Sequence, residues 1–377
     1  MSLRIQVLSA EGSFAVLEDA WRQLDRRDST AAVFTTWEWL STWWRYYGAG
    51  KELALITAWD EDQLVGILPS YRWRRRALWL LPIRELRLVG SGGDTSPDYL
   101  GPVFDDSYRA SASLAIARFL AQDMRGWDVL RFSDLAASDF ADDLLRALDA
   151  AGGRRSLSTD SEIRLIRLPQ SWNAYLQSIS GPRRRAVQYS RKVAVQKLNA
   201  VLHVRRAGPE LRDAVDDLIR LHRSRWEHKA KGAGAFASDA YVGFHREVIE
   251  RCSANDWIRL YSLDIADKAV AIVYCYRYRA ETLHFQSGFD PTYRNRSVGR
   301  VALAHAIEQS IEEGSTVFDM LKGDHDYKAK YANDQRRTLR LLAFRGTARG
   351  VAAGLLSMAR DRWKAWRRIS VPEVEAP

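Results

Sequence analysis

The residues best suited to chemistry lie between Leu283 and Tyr331, in LHFQSGFDPTYRNRSVGRVALAHAIEQSIEEGSTVFDMLKGDHDYKAKY. A polar loop carrying Arg294 and Arg296 runs into Ser297, Val298, Gly299 and Arg300, where an apolar-spaced helix of about four turns begins. The free N–H groups of a first helical turn and the helix dipole both favour an anion at such a point. Backbone N–H groups at Val298, Gly299 and Arg300 suit a pyrophosphate, and Arg294, Arg296 and Arg300 can add charge-assisted hydrogen bonds. The same pattern is also met by a loop that Ser297 caps without any ligand. Tyr327 and Tyr331 follow the next strand and could hand over a proton. This set suits acyl transfer from a coenzyme A thioester. Such a reaction needs a positioned amine or hydroxyl, a group to take its proton, and a proton for the leaving thiolate.

The base has several candidates. Asp319 ends a strand, and His325 could act near neutral pH without much tuning. Asp290 is equally a turn former before Pro291, and His284 alternates within a strand as a core histidine would. Lys322, Lys328 and Lys330 either hold an anionic group of the acceptor or form a solvated face. In the first half, GSGGDTSPDYLGP presents Asp98 and Tyr99 as acceptor-side candidates, although its Gly and Pro content also explains a plain connection. No Gly-x-Ser-x-Gly, Walker A or His-Glu-x-x-His pattern occurs, and Cys252 and Cys275 lack metal-ligand spacing. No metal is expected.

The elements that must position these groups occur twice. An amphipathic helix near Trp37–Tyr47 leads to strands LALITAW, LVGILPSY and LRLVG, then a glycine-rich loop, a helix near Tyr108–Met124 and the strand WDVLRFS. Helices near Leu211–His228 and Tyr241–Cys252 lead in the same way to WIRLYSLD, KAVAIVYCYRY and LHFQSGFD, a helix over Ser297–Glu313, and TVFDML. In each half a hairpin and a third strand precede a helix that crosses to a fourth strand, which predicts a parallel pair per half. The expected class is mixed α/β, with domains over 1–160 and 161–346 and a basic tail over 347–377. The boundary falls near Gly152–Pro169, where AGGRRSLSTD has a linker's composition. IRLIRLP could close either half.

This order, with a loop–helix phosphate site after the third long strand, resembles the GNAT acyltransferase fold, and two halves resemble tandem GNAT proteins. The sequence is most similar to the CelD-type family, associated with cellulose and exopolysaccharide biosynthesis and distantly related to the FemAB transferases. The residues that carry this are FTTWEWLSTWWRYYG and LVGILPSY, then SWNAYLQSISGPRRRAVQYSRKVAVQKL, and most specifically SGFDPTYRNRSVG with FDMLKGDHDYK. The resemblance implies N- or O-acyl transfer from an acyl-CoA, with a tyrosine after the fourth strand protonating the sulfur; Tyr327 lies in the more family-like Tyr-Lys pair. One departure stands out: where such enzymes carry Q/R-x-x-G-x-G/A, RNRSVGR keeps one glycine.

A net charge of +10 fits an anionic partner such as coenzyme A, tRNA, a nucleotide-sugar or an anionic membrane. Arg184, Gln188, Arg191 and Lys192 share one side of a helix candidate over Gly181–Leu198, either as a contact for substrate phosphate, a tRNA or lipid head groups, or as a solvated face. The segment Arg349–Ile369 is a basic amphipathic helix candidate that suits an anionic membrane interface or docking on its own domain. Fourteen Trp, many within Thr35–Gly48, read chiefly as core or interface filler. No long apolar run predicts export or membrane spanning, so a cytoplasmic protein, peripheral at the inner membrane face, is expected. The acceptor would be a small polar, glycan or lipid-linked molecule. Two other readings stay open: a FemAB-like transferase using aminoacyl-tRNA, and a non-catalytic GNAT-like protein supporting a polysaccharide synthase.

Overall fold

The computed structural model describes residues 3–77, 81–95, 97–227, 234–323 and 326–358. The first half runs β1 (Arg4–Leu8), α1 (Ser13–Arg27), α2 (Trp37–Tyr47), β2 (Glu52–Asp60), β3 (Gln63–Ala77), β4 (Leu81–Leu88), β5 (Val103–Phe104), α3 (Arg109–Arg118), β6 (Val129–Ala136), α4 (Asp139–Ala150) and β7 (Arg154–Arg167). Two helices follow, α5 (Trp172–Ser178) and α6 (Gly181–Lys197). The second half then runs β8 (Val201–Arg205), α7 (Gly208–Glu227), α8 (Asp239–Ser253), β9 (Ile258–Ile265), β10 (Lys268–Tyr278), β11 (Glu281–Phe289), α9 (Val298–Glu312), β12 (Val317–Asp319), α10 (Asp326–Ala329) and β13 (Asp334–Phe344). A helix over 348–358 (α11) ends the described chain.

The thirteen described strands form one sheet in the order β1-β2-β3-β4-β6-β13-β7-β12-β11-β10-β9-β8, with β5 added beside β3. Pairing is antiparallel except at β4–β6 and β11–β12, the two crossovers expected from the helix between each pair. The order reads the same from both ends, so the halves are related by a pseudo-two-fold between β7 and β13. Each half gives its last strand away: β7 pairs with β12 and β13 pairs with β6. The two exchanged strands pair with each other from Asp334 opposite Leu165 to Phe344 opposite Arg154.

This corrects the linker expectation near Gly152–Pro169. Residues 154–162 are mostly exposed, which accounts for their Arg, Ser and Thr content, yet their main chain is paired along β13. A strand with both faces wet looks like a linker in composition, because register hydrogen bonds leave no trace in side-chain type.

The tryptophan-rich helix α2 is filler between the halves. Trp39 and Trp43 are fully buried, and Trp39 meets Phe244 of α8 edge-on at 5.1 Å. Phe34 packs on Tyr276 and Phe285 from the second half. One apolar core therefore runs across both halves, and a second lies under α5, α6 and α9.

Candidate functional site

Strand β11 delivers the chain to the helix start. Asp290 accepts from the Thr292 N–H at 2.9 Å and from its hydroxyl at 2.7 Å, which starts a 3-10 turn over Pro291–Arg296. Ser297 then adopts φ +55, and α9 begins. The Ser297 side chain makes no capping hydrogen bond. The N–H groups of Arg300 and Val301 go to the Ser297 carbonyl, and those of Val298 and Gly299 have no acceptor among the described hydrogen bonds. Arg294 and Arg296 are exposed, with no acidic partner among the described residues, and Arg300 reaches the Ser190 hydroxyl of α6 at 3.2 Å. The helix start is therefore uncapped and flanked in sequence by Arg294, Arg296 and Arg300, the electrostatic requirement for an anion. A Cβ on Gly299 would meet nothing nearer than Phe289 at 3.8 Å, so this glycine keeps space clear rather than relieving strain.

The parallel pair β11–β12 is short: Glu281 opposite Val317, Thr282 opposite Phe318, and Leu283 opposite Asp319. Beyond Asp319 the strands part. β11 runs on to Phe289 with no strand on that edge among the described residues, while β12 turns away through Leu321, at φ +50. Lys328, buried, clasps this turn by donating to the carbonyls of Met320, Leu321 and Lys322 at 2.7, 2.9 and 2.8 Å. All three of its N–H groups are thereby used, so the structure assigns Lys328 to the turn and leaves it no donor for an acceptor molecule.

Across from this turn the first half inserts its loop. The Lys322 N–H donates to Asp98 Oδ2 at 2.8 Å, and its ammonium donates to Asp134 Oδ1 at 2.6 Å and the Pro97 carbonyl at 2.9 Å. The Tyr99 hydroxyl donates to Asp319 Oδ2 at 2.7 Å, and the Leu321 N–H holds Asp319 Oδ1 at 2.7 Å. Arg336 of β13 lies 3.9 Å from Asp319 and donates to Glu281 at 2.8 Å. Asp98 is fully buried, and its Oδ1 has no hydrogen-bond partner among the described residues. Burial raises its carboxyl to about 7, against the opposing charge of Lys322. Burial likewise raises Asp319 to about 6, opposed by the Tyr99 hydrogen bond, and lowers Lys328 to about 8. The Tyr99 hydroxyl is pushed up by the same desolvation. Perturbed, mutually facing groups of this kind mark candidate acid–base sites.

The first half closes its own version of this gap. After Glu85, Leu86 and Arg87 pair with Val129, Leu130 and Arg131, the space between β4 and β6 is filled by Leu100, whose N–H and carbonyl bond to Asp134 and Ala136 at 2.8 Å each. Ahead of α3, Asp105 accepts from the Ser107 N–H at 3.0 Å and Asp106 from the Ser29 N–H, while Arg27 pairs with Asp105 and Arg109, at the helix start, with Asp28 and Asp106. The start of α3 is thus closed by its own ion pairs, where Arg294 and Arg296 beside α9 have no acidic partner among the described residues. A cavity of about 1450 Å³ lies between the halves at the other end of β11. Asp139, Glu162, Arg336 and Arg337 line it, and it reaches Tyr99 and Leu283. The open edge of β11 and this cavity thus approach one point, at Leu283, Tyr99 and Asp319, from opposite sides.

Tyr331 is buried in the second core, with the Arg183 guanidinium 5.0 Å over its ring. Arg184 sits half-buried in the first turn of α6. His325 lies outside the described residues, as does the side chain of Tyr327. Residues that the sequence reading missed are Asp134, Arg336 and Glu281. Asp134 has φ +53 within β6, and no local pattern could single it out, since its partner Lys322 is 188 residues away.

Residues 183–329 match the family model described as Acetyltransferase (GNAT) domain. No curated protein matches the sequence. Among solved structures, FemX is similar over 90% of this chain and 96% of its own, at 8% identity and TM-score 0.58. A C-terminal domain assigned to lysylphosphatidylglycerol synthetase from Agrobacterium fabrum is similar over 92% and 96%, at 12% identity and TM-score 0.53. L-PGS from Bacillus licheniformis is similar over 91% and 95%, at 13% identity and TM-score 0.50. At such identities the likeness is one of fold.

Proposed function

We propose that this protein is an acyltransferase with one donor site, in its second half. In this reading the pyrophosphate of an acyl-CoA rests on the start of α9 among Arg294, Arg296 and Arg300. The acyl arm follows the open edge of β11 to the point where β11 and β12 part. The nitrogen or oxygen of a polar acceptor forms the new bond to the acyl carbon as the carbon–sulfur bond breaks. Asp98 takes the acceptor's proton, and the thiolate gains one from Tyr327 or Tyr331, with His325 as a further candidate. The mixed charges of the junction cavity suit a polar acceptor, for which a sugar or amine of envelope polysaccharide, or a lipid-linked glycan, is the proposed class. The observation that carries the reading is the uncapped cationic start of α9, which opens onto an unpaired strand edge that ends beside a buried carboxyl.

Aminoacyl-tRNA as donor is the second reading. The charge of +10 and the arginines of α6, which packs beside α9 through Arg300–Ser190 and Arg191–Glu308, favour it. Calorimetric titration with acetyl-CoA and longer acyl-CoAs separates the two. We expect micromolar binding that Gly299→Trp abolishes, since a Cβ there is accommodated and the indole beyond it would crowd the first-turn N–H groups. No binding to any acyl-CoA, together with binding of charged tRNA that falls steeply with salt, would replace the first reading by the second.

A further inference from the structure

The last described helix carries an apolar stripe that faces away from the protein. Helix α11 is anchored on one side: Ala353 is buried with Ile83 of β4 and Val129 of β6, and Gly354 lies close to the Phe344 ring. On the other side Val351, Leu355 and Met358 are 44%, 53% and 41% exposed. Their i, i+4, i+7 spacing puts them on one stripe two turns long. Among the described residues they are three of eight large apolar side chains left exposed, and the other five are scattered over four other elements. Isolated exposed apolar residues are ordinary, but a stripe invites a partner.

Its surroundings are basic. The Arg154 guanidinium reaches the Met358 sulfur at 3.7 Å, Arg349 is exposed on the same helix, and Arg345 lies in the field of Arg84 and Arg125, with Asp128, the ion partner of Arg84, opposing. The β3–β4 hairpin, whose Ile83 touches α11, adds exposed Arg74 and Arg76. In sequence, the chain joining β3 to β4 reads Leu78-Trp79-Leu80. The eleven residues after Met358 contain Arg360, Arg362, Lys364, Arg367 and Arg368 with Trp363 and Trp366. Among the described residues no helix is long and apolar enough to cross a membrane.

We infer that this face, built of α11 and the β3–β4 hairpin, docks on an anionic lipid bilayer. The apolar stripe enters the head-group boundary, and the arginine rim pairs with lipid phosphate. Neither contribution suffices alone, since shallow apolar insertion and diffuse charge attraction are each weak.

The test uses the full-length protein with vesicles of phosphatidylcholine alone and of phosphatidylcholine mixed with phosphatidylglycerol. The surface predicts sedimentation with the anionic vesicles only, weakening as salt rises. A Val351→Glu/Leu355→Glu/Met358→Glu variant, at exposed positions that leave the core intact, should weaken partitioning by about tenfold or more. An Arg154→Gln/Arg349→Gln variant should reduce both binding and its salt dependence. Equal binding to neutral vesicles, or anionic binding that neither variant changes, overturns the assignment. So does a concentration-dependent dimer, abolished by the triple variant, in a protein that ignores both vesicles; the stripe would then be a contact between copies of this chain.

Discussion

Asp98 combines two properties that pull against each other. Its carboxyl is held up to about 7 because burial penalises the ionised form, and the ionised form is the one a general base needs. The folded-state value lies above the ordinary 3.8, so the folded protein binds more protons than the unfolded chain between about 4 and 7. Stability therefore falls as pH rises through that window and levels off above it; Asp319, raised to about 6, acts in the same direction. Asp98→Asn keeps an oxygen for the Lys322 N–H, and Lys322 keeps Asp134 as its ion partner. We expect the variant to melt at or above wild type at pH 8, by up to about 2–4 °C, and to match it near pH 4. Its transfer rate should drop about 100-fold or more and lose the rise with pH centred near 7. A stability gain without a loss of rate would leave Asp98 a buried acid with no part in proton transfer. The chemistry at this position was legible in sequence only as a residue type in a loop. The burial that sets its acidity comes from a turn more than 220 residues away.

At the scale of elements, the glycine of the SGFDP motif has a packing reason. Strand β11 runs under α7, and a Cβ on Gly288 would stand 2.8 Å from the His222 main-chain nitrogen and 2.9 Å from the Leu221 Cβ. Main chain cannot give way as a side-chain tip can, so Gly288→Ala must push α7 off β11. A loss of about 1–3 kcal/mol in chemical denaturation is expected, together with weaker acyl-CoA binding, because the displaced strand forms the open edge. Gly299→Ala, eleven residues on, has room and should leave stability unchanged. The two glycines look alike in sequence; one is fixed by a neighbouring helix and the other borders open space. The helices and strands themselves were readable, since apolar spacing reports burial directly. The choice at Ser297 between an open anion site and a capped loop was not, because its side chain makes no capping bond once the backbone enters the left-handed region.

For the whole molecule, the exchanged strands bind the halves into one sheet. Each half without its partner lacks the strand beside its fourth-strand edge, and the apolar core runs across the junction through Phe34, Trp39, Phe244 and Tyr276. A fragment ending at Leu168 should therefore be aggregated or poorly structured by circular dichroism, and should regain structure when mixed with the remainder of the chain. A monomeric, cooperatively melting fragment would show that the exchange is dispensable. By itself the sequence determined the order of the elements repeated in each half, the two parallel crossovers and the cationic helix start at α9, because hydrophobic period, turn residues and local charge are properties of neighbouring residues; β1, α1, α4, β8 and β13 were not read from it. It could not determine that β7 and β13 trade places, that Leu100 fills the first gap while the second stays open, or that Asp98, Lys322 and Asp134 meet. Strand partnership is carried by main-chain hydrogen bonds that every residue type offers alike, and only the closed sheet selects among them.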